Sequence, residues 1–189
     1  MSLRKVVAAL FAILCLTISS SNAEDINMTK KDITIDENTL YLDLKDGRVV
    51  IQMRPDLAPK HVARIKELVN TGFYDGLTFH RVIDGFMAQT GDPEGNGTGG
   101  SGQYLPAEFS KAKHIRGTVS MARASDVNSA DSQFFICLDD ASWLNGQYTV
   151  WGEVVDGMEY VDMIKKGDSR DNGAVSSPDK IVKMSMAKQ

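Results

Sequence analysis

Apolar and polar residues alternate in the first regular segment of the chain, residues 39–45, whose three leucines share one face of an extended strand. Asp46-Gly47 follows, a dipeptide typical of a two-residue hairpin turn. The alternation then resumes with apolar side chains at every second position from Val49 to Met53. This pattern predicts a β-hairpin with one buried face.

Two later segments have helical spacing. In the first, Ala58, Val62, Ile65 and Val69 form one apolar stripe, and Gly72 is the expected C-terminal stop. In the second, Asp156 with Glu159 three residues later has the pattern of a capping box, and Gly167 is the expected end. The stripe of this second helix comprises Met158, Val161 and Ile164.

The rest of the chain favours short strands. The segments with strand character are 77–83, 86–90, 117–124, 132–138, 147–155 and 180–186. Many short strands with only two helices indicate an all-β barrel or sandwich whose ends the helices cover.

The first 23 residues have the composition of a secretory signal peptide. Arg4 and Lys5 precede an apolar run over 6–18, and Ser21 and Ala23 supply a small-x-small cleavage site. A membrane anchor is the alternative, but the run is shorter than the ~20 residues that span a bilayer. We therefore expect export to a bacterial periplasm, with secretion as the alternative.

Signal cleavage would leave a polar segment, 24–38, which we interpret as a flexible N-terminal arm, and one domain of ordinary size, 39–189. The full chain has a formal net charge of −4, and the signal carries two of its positive charges. An acidic domain is a poor partner for nucleic acid or an anionic membrane, and we expect a monomer. Cys137 would be the one remaining cysteine, in an apolar run that predicts burial.

The sequence lacks the common motifs of covalent catalysis, metal binding and nucleotide binding. The three histidines lie far apart without metal-ligand spacing, and no Gly-x-Ser-x-Gly elbow is present, so we expect neither a metal nor a cofactor. The glycine-rich stretch 91–102 lacks the Lys-Ser/Thr end of a phosphate-binding loop. It is better explained as a loop that needs positive φ at several positions and brings backbone close to an extended ligand.

The pattern of residues 79–89 predicts a strand, a tight turn at Asp84-Gly85 and a second strand. This hairpin places Arg81 beside two large apolar side chains, which suits a mostly apolar ligand with one carbonyl. Period-two geometry puts Met87 and Gln89 on one face, and likewise Gln133 and Phe135 on a later strand. Two strands could thus each present an amide and an apolar group to a common surface.

These motifs together resemble the cyclophilin peptidyl-prolyl isomerases, most closely their compact exported bacterial members. The resemblance covers about 40–186. It is carried by Phe79-His80-Arg81, Gly85-Phe86-Met87-Ala88-Gln89, Gly91-Asp92, Gly95-Asn96-Gly97-Thr98-Gly99-Gly100, Ser120-Met121-Ala122, Ser132-Gln133-Phe134-Phe135-Ile136 and Trp143-Leu144. It implies a closed eight-stranded antiparallel barrel capped by two α-helices, with the substrate groove on its outside.

The resemblance implies that Arg81 is the catalytic group and that proline-containing unfolded or extended polypeptides are the substrates. The implied proline pocket is lined by Phe86, Met87, Phe135 and Leu144. The implied backbone contacts are Gln89 and Gln133, the neighbouring subsite is Ala122, Arg123 and Gly97, and the rim is His80 and Trp143.

Two positions differ from the pattern best known in the family. Tyr148 stands where many members have histidine, and Arg123 stands where asparagine is frequent. Trp143 implies binding of cyclosporin-type inhibitors, and Tyr148 leaves the strength of that binding open. Two alternatives remain at this point: a cyclophilin-fold chaperone or peptide-binding module with little catalysis, and a lipocalin-type barrel with an open lumen.

Overall fold

The computed structural model describes residues 33–188 of the 189-residue chain. The predicted signal peptide and residues 24–32 of the predicted arm lie outside the described residues. The strands are β1 (Thr39–Leu44), β2 (Gly47–Met53), β3 (Arg81–Ile83), β4 (Met87–Thr90), β5 (Thr118–Met121), β6 (Phe134–Cys137), β7 (Val150–Asp156) and β8 (Lys183–Met186). The helices are α1 (Pro59–Asn70) and α2 (Met158–Asp162), and short 3-10 turns occur at Ser142–Leu144 and Ser169–Asp171.

All eight strands belong to one antiparallel sheet in the order β3-β4-β6-β5-β7-β2-β1-β8. The predicted all-β class with two helices is therefore confirmed, but "closed" overstates the barrel, which is a curled half-barrel. The edge strands β3 and β8 do not pair with each other in the described part of the chain. Instead the segment 173–181 lies along β3: Val82 N donates to Gly173 O (2.8 Å), and Phe79 N donates to Asp179 O (2.9 Å).

The β1–β2 hairpin is confirmed, but its turn is one residue earlier than predicted. Leu44 pairs with Gly47, so the two turn residues are Lys45 and Asp46. Gly47 serves another purpose, because a Cβ at this position would lie 2.4 Å from the Tyr160 ring. Glycine therefore lets the second helix pack directly on the hairpin.

Helix α1 has the predicted apolar stripe, with Val62, Ile65 and Val69 buried against the sheet. It ends at Asn70, and Gly72 follows with φ +71°, the left-handed conformation expected of a helix stop. Its first turn receives no side-chain hydrogen bond from its N-cap, Ala58, and begins with proline instead.

The capping box predicted for α2 is wrong. Asp156 is the last residue of β7, and the N-cap is Gly157 with φ +79° and no side-chain hydrogen bond. This left-handed residue turns the chain directly from strand into helix, and the helix ends at Asp162 rather than near Gly167. The predicted stripe does reach the core, where Val161 and Ile164 are buried.

The sheet separates two hydrophobic clusters. The main core lies inside the curl, where Phe134, Ile136 and Trp151 are fully buried, so the lumen is filled and the lipocalin-type alternative is wrong. A second cluster, which we call the outer cluster, consists of Met87, Phe135, Cys137, Ala141 and Leu144. Along β6, side chains alternate between the two, as the period of a strand requires.

Cys137 is buried in the outer cluster, as predicted, and burial raises the pKa of its thiol to about 12. The thiol therefore stays protonated and unreactive near neutral pH.

At the start of the described chain, Asp36 accepts from Gln52 Nε2 (3.1 Å), and Asn38 accepts from Lys66 Nζ (2.8 Å). None of the helices within residues 33–188 is long and apolar enough to cross a membrane.

Candidate active site

The site is built on one transverse row of the sheet. Arg81 on β3 pairs with Gln89 on β4, and Gln89 pairs with Phe135 on β6. Paired residues on adjacent strands point to the same face, so the three side chains stand together outside the curl. The face that the sequence predicted for Gln89 and Phe135 is therefore confirmed.

Hydrogen bonds join the polar members of this row. Arg81 Nη1 donates to Gln89 Oε1 (3.1 Å), and Gln89 Nε2 donates to Gln133 Oε1 (2.9 Å). Gln133 Nε2 donates in turn to the carbonyls of Gly97 (3.1 Å) and Gly99 (2.8 Å) in the glycine-rich loop, 91–102. The two amides thus orient the guanidinium from one side.

The glycine-rich loop is itself held by a buried carboxylate. Asp92 accepts from the backbone N–H groups of Glu94 (2.9 Å), Asn96 (3.0 Å) and Gly97. Burial alone would raise the pKa of Asp92, but these three donors outweigh it and hold the pKa below its usual value. Positive φ at Gly91, Gly95, Gly97 and Gly102 agrees with the predicted loop geometry.

Asn172 holds the other side of the guanidinium and is not among the residues predicted from the sequence. Arg81 Nε donates to the Asn172 carbonyl, and Nη2 donates to Asn172 Oδ1, each at 2.9 Å. Asn172 has φ +49°, one of two non-glycine residues with positive φ among those described. The Asn172-Gly173 dipeptide was a visible turn signal, but nothing in it indicated a contact with a residue 91 positions earlier.

An open cavity of about 640 Å³ lies over this row. Its apolar wall comes from the outer cluster, chiefly Met87, Phe135 and Leu144. The lining residues are His80, Arg81, Phe86, Met87, Gln89, Gly95, Asn96, Gly97, Ala122, Arg123, Phe135, Leu144, Tyr148, Asp171, Asn172, Ala174 and Val175. Eleven of the thirteen residues predicted from the sequence therefore meet in this one cavity.

The other two predicted residues lie beside it. Gln133 lines an adjoining cavity of about 210 Å³, which shares Gln89, Gly97, Ala122 and Arg123 with the first. Trp143 is 58% exposed, with its ring centroid 5.4 Å from that of Phe86, and so stands at the predicted rim.

The rim position predicted for His80 is wrong, because its side chain is only 7% exposed and lies beneath the glycine-rich loop. Neither ring nitrogen has a hydrogen-bond partner among the described residues. Burial lowers the pKa of His80 despite the opposing charge of Asp92, so the ring is neutral near pH 7. The fold of the 91–102 loop over the strand could not be read from the sequence.

Tyr148 and Arg123 extend the cavity wall beside Phe135. The Tyr148 ring packs edge-on against Phe135, with centroids 5.9 Å apart, and thus supplies the aromatic wall expected of it. The Arg123 guanidinium lies 4.6 Å above the Tyr148 ring centroid. Behind Phe135, His114 stacks on its ring at 6.2 Å and bonds Ser120 Oγ (3.0 Å).

The site can therefore hold an apolar ring beside a fixed cation. Burial lowers the pKa of the Arg81 guanidinium, but arginine starts so high that its positive charge persists near neutral pH. Within residues 33–188, no group of three His, Cys, Asp or Glu side chains is arranged to hold a metal ion. The apolar wall and the fixed cation suit a ligand that has an apolar ring beside a polar group.

Comparison with known proteins identifies the class. The sequence model of the family "Cyclophilin type peptidyl-prolyl cis-trans isomerase/CLD" matches residues 39–186. The chain therefore belongs to the cyclophilin-type peptidyl-prolyl cis-trans isomerases, and it is an enzyme of that class. A probable peptidyl-prolyl cis-trans isomerase of Brucella suis is 61% identical over 159 residues, covering 78% of this chain and 81% of the relative. Peptidyl-prolyl cis-trans isomerase B of Bacillus subtilis is 44% identical, covering 69% and 92%.

Solved structures agree with this assignment. A cyclophilin-type isomerase of Cryptosporidium parvum, crystallised in the presence of the dipeptide Ala-Pro, superposes with a TM-score of 0.73 at 29% identity, covering 80% of this chain and 99% of that one. A cyclophilin from Hirschia baltica gives a TM-score of 0.74 at 26% identity, covering 83% and 77%.

Proposed function

We propose that this isomerase turns X–Pro bonds in exported polypeptides while they fold, and that Arg81 assists the rotation without forming a covalent bond. The observation that carries the proposal is the position of the guanidinium, held on three oxygens at the edge of the outer cluster. An apolar pocket beside a fixed donor suits a proline ring whose amide must lose its resonance.

The catalyst must lower the barrier to rotation about the X–Pro bond by several kcal/mol. Amide resonance gives a rotation barrier of ~18–20 kcal/mol. Uncatalysed exchange therefore takes roughly tens to hundreds of seconds. Turnover in milliseconds needs roughly 10⁴–10⁵-fold acceleration, or about 5.5–7 kcal/mol of preferential transition-state binding. No bond to a substrate atom is made, so no nucleophile is needed.

Arg81 can supply part of that energy. Of the five N–H groups of a guanidinium, three already donate to oxygen, on Gln89 and Asn172. A fourth, on Nη1, has only the weak acceptor Met87 Sδ (4.0 Å), so this group and the remaining Nη2 N–H can turn to substrate. The proline nitrogen gains an available lone pair only as the amide twists. A donor directed at that nitrogen binds the twisted state more strongly than either planar isomer, which is the condition for catalysis.

The pocket supplies a second contribution. Met87, Phe135 and Leu144 are buried, and they line the cavity with apolar side chains. A planar amide is more polar than a twisted one, so removal of water destabilises the ground state more than the transition state. The pocket also fixes the proline ring while the preceding carbonyl rotates.

The exported location rests on the sequence of residues 1–23, with its basic start, apolar run and small-x-small end. A periplasmic enzyme would meet chains that emerge unfolded and contain unequilibrated X–Pro bonds. Determination of the mature N-terminus by mass spectrometry after expression in a bacterial host tests the signal. A mature chain that begins at residue 24 is expected, and retention of residues 1–23 would contradict export by cleavage.

The test of catalysis compares Arg81→Ala with Arg48→Ala, a control whose arginine pairs with Asp43 on the β1–β2 hairpin. Loss of one preorganised donor typically costs about 10²–10³-fold in rate, and we expect a kcat/KM loss of this order for Arg81→Ala. Proline-limited refolding and a peptide exchange assay both report this rate. Near-normal activity in Arg81→Ala would falsify the role, and binding without acceleration in the wild type would favour the peptide-binding alternative.

A further inference from the structure

The arginines of the described residues fall into two groups. Five form ion pairs with carboxylates: Arg48 with Asp43, Arg54 with Asp56, Arg64 with Glu67, Arg116 with Asp162 and Arg170 with Asp168. Arg81 and Arg123 have no such partner within residues 33–188, and both line the 640 Å³ cavity. In a chain with a net charge of −4, the unpaired guanidinium charge is concentrated at the substrate groove.

Arg123 is held in place without being neutralised. Its Nε and Nη2 donate to the Gln147 carbonyl (3.3 and 3.1 Å), and Nη1 donates to the Ala124 carbonyl (2.9 Å). The stack on Tyr148 fixes the plane of the guanidinium further. Carbonyls and an aromatic face orient a cation but leave its net charge unpaired, so a carboxylate from a ligand meets a preorganised partner.

The two cavities meet at Arg123. Its side chain lines both the cavity over Arg81 and the adjoining 210 Å³ cavity, so a peptide that continues from the proline pocket along the groove passes the guanidinium. The carboxylate of Asp131 lies in the smaller cavity, but it accepts from the N–H groups of Ser101, Gly102 and Gln103 and from Ser101 Oγ. Its charge is thereby partly compensated.

The opposite end of the groove has the opposite charge. Asp171 lines the cavity next to Asn172, on the β3 side of the sheet, whereas Arg123 follows β5. Two strands, β4 and β6, separate β3 from β5. Three strand spacings of about 4.8 Å place the two charges roughly 14 Å apart, the length of about four extended residues.

We propose that Arg123 makes the groove selective for peptides with an acidic side chain within two residues of the proline. The inference rests on the proposal that X–Pro bonds turn at Arg81 in this groove, and it adds a preference among substrates. The carboxylate pairs with the guanidinium where it covers Tyr148, at the end of the groove away from Asp171. Selectivity of this kind needs no change in the reaction at Arg81.

The experiment uses a host peptide with one proline and places Glu, Gln or Lys at each of the two positions on either side of it. We expect one position at which Glu exceeds Gln in kcat/KM by about two- to fivefold at low salt, the range of half-exposed ion pairs. The ratio falls in 0.5 M salt because screening weakens the pair. In Arg123→Gln we expect a Glu-to-Gln ratio of kcat/KM of about one, and in Arg123→Lys a ratio between one and that of the wild type. In Arg123→Glu we expect the Lys peptide to have a higher kcat/KM than the Glu peptide.

Arg48→Gln serves as the matched control and keeps the wild-type ratio, since Arg48 lies on the β1–β2 hairpin. The proposal is overturned if Glu and Gln peptides agree at all four positions, or if Arg123→Gln slows every peptide alike, as a purely structural arginine would. Calorimetric dissociation constants for the same peptides separate the Arg123 selectivity proposal from the proposed catalytic role of Arg81. Charge-dependent binding without turnover supports the Arg123 proposal and refutes the catalytic one, and charge-independent turnover does the reverse.

Discussion

Asn172 offers the sharpest test of how Arg81 is positioned, because it contributes two of the three oxygens that hold the guanidinium. Asn172→Gly removes the side-chain acceptor at 2.9 Å and keeps the carbonyl. Glycine also adopts the native φ of +49° without strain. The substitution therefore isolates one hydrogen bond to a charged group.

The expected magnitude follows from that bond. Hydrogen bonds to charged groups contribute about 1.5–3 kcal/mol when buried, and this one is exposed, so we take about 1 kcal/mol. That energy corresponds to roughly a fivefold fall in kcat/KM. The fall should be in kcat, with KM little changed, because the proposed mechanism has Arg81 bind the twisted amide more strongly than the planar one. Asn172→Asp, which keeps an acceptor and tolerates this φ, should recover most of the activity.

The assay is a double-mutant cycle on peptide isomerisation, with stability measured in parallel. Asn172→Gly should cause no further loss in the Arg81→Ala background, since the group it positions is gone. Asn172→Ala should match Asn172→Gly in activity but unfold more easily by about 1–2 kcal/mol, the cost of a left-handed alanine. Activity of Asn172→Gly within twofold of wild type, or an equal loss in both backgrounds, would refute the positioning role.

Two further predictions concern the pocket and pH. Phe135→Ala should weaken binding of an X–Pro peptide more than Tyr148→Ala, because Phe135 is buried in the outer cluster; calorimetry checks this, and the reverse order contradicts the pocket. Burial lowers the pKa of His61, His80 and His114. Because the unfolded chain binds these protons more tightly, the free energy of unfolding is highest above the unfolded pKa of about 6.5. Below that pH it falls by up to about 1.4 kcal/mol per pH unit for each histidine. Urea unfolding at pH 7.5 and 5.5 should show the fall, and equal stability would contradict it.

The sequence predicted the parts of the site that lie on strands. Period two alone placed Met87 and Gln89 opposite Ala88, and Phe135 opposite Phe134, and the structure confirms both assignments. Such predictions succeed because a strand that separates two surfaces must alternate. The same alternation predicted the β1–β2 hairpin, although the turn in the structure lies one residue earlier than predicted.

The parts that could not be predicted depend on contacts between distant segments. Asn172 reaches Arg81 only because the chain after α2 lies along β3, where a closed barrel would have placed another strand. His80 is buried because the 91–102 loop folds over it. Gly47 is needed for the ring of Tyr160, which is remote in sequence. No local pattern encodes such pairs, since each depends on the complete topology.

The same strands build the core and the candidate site, and the proposed mechanism depends on this arrangement. Ala88 and Phe134 pack inside the curl, while their neighbours Gln89 and Phe135 line the cavity on the other face. Arg81 is held from one side by amides tied to the Asp92-anchored loop and from the other by Asn172. A donor that must favour a twisted amide over a planar one has to be aimed before the substrate arrives. In the mechanism proposed for Arg81, the packed core would therefore contribute to catalysis by holding the guanidinium in place.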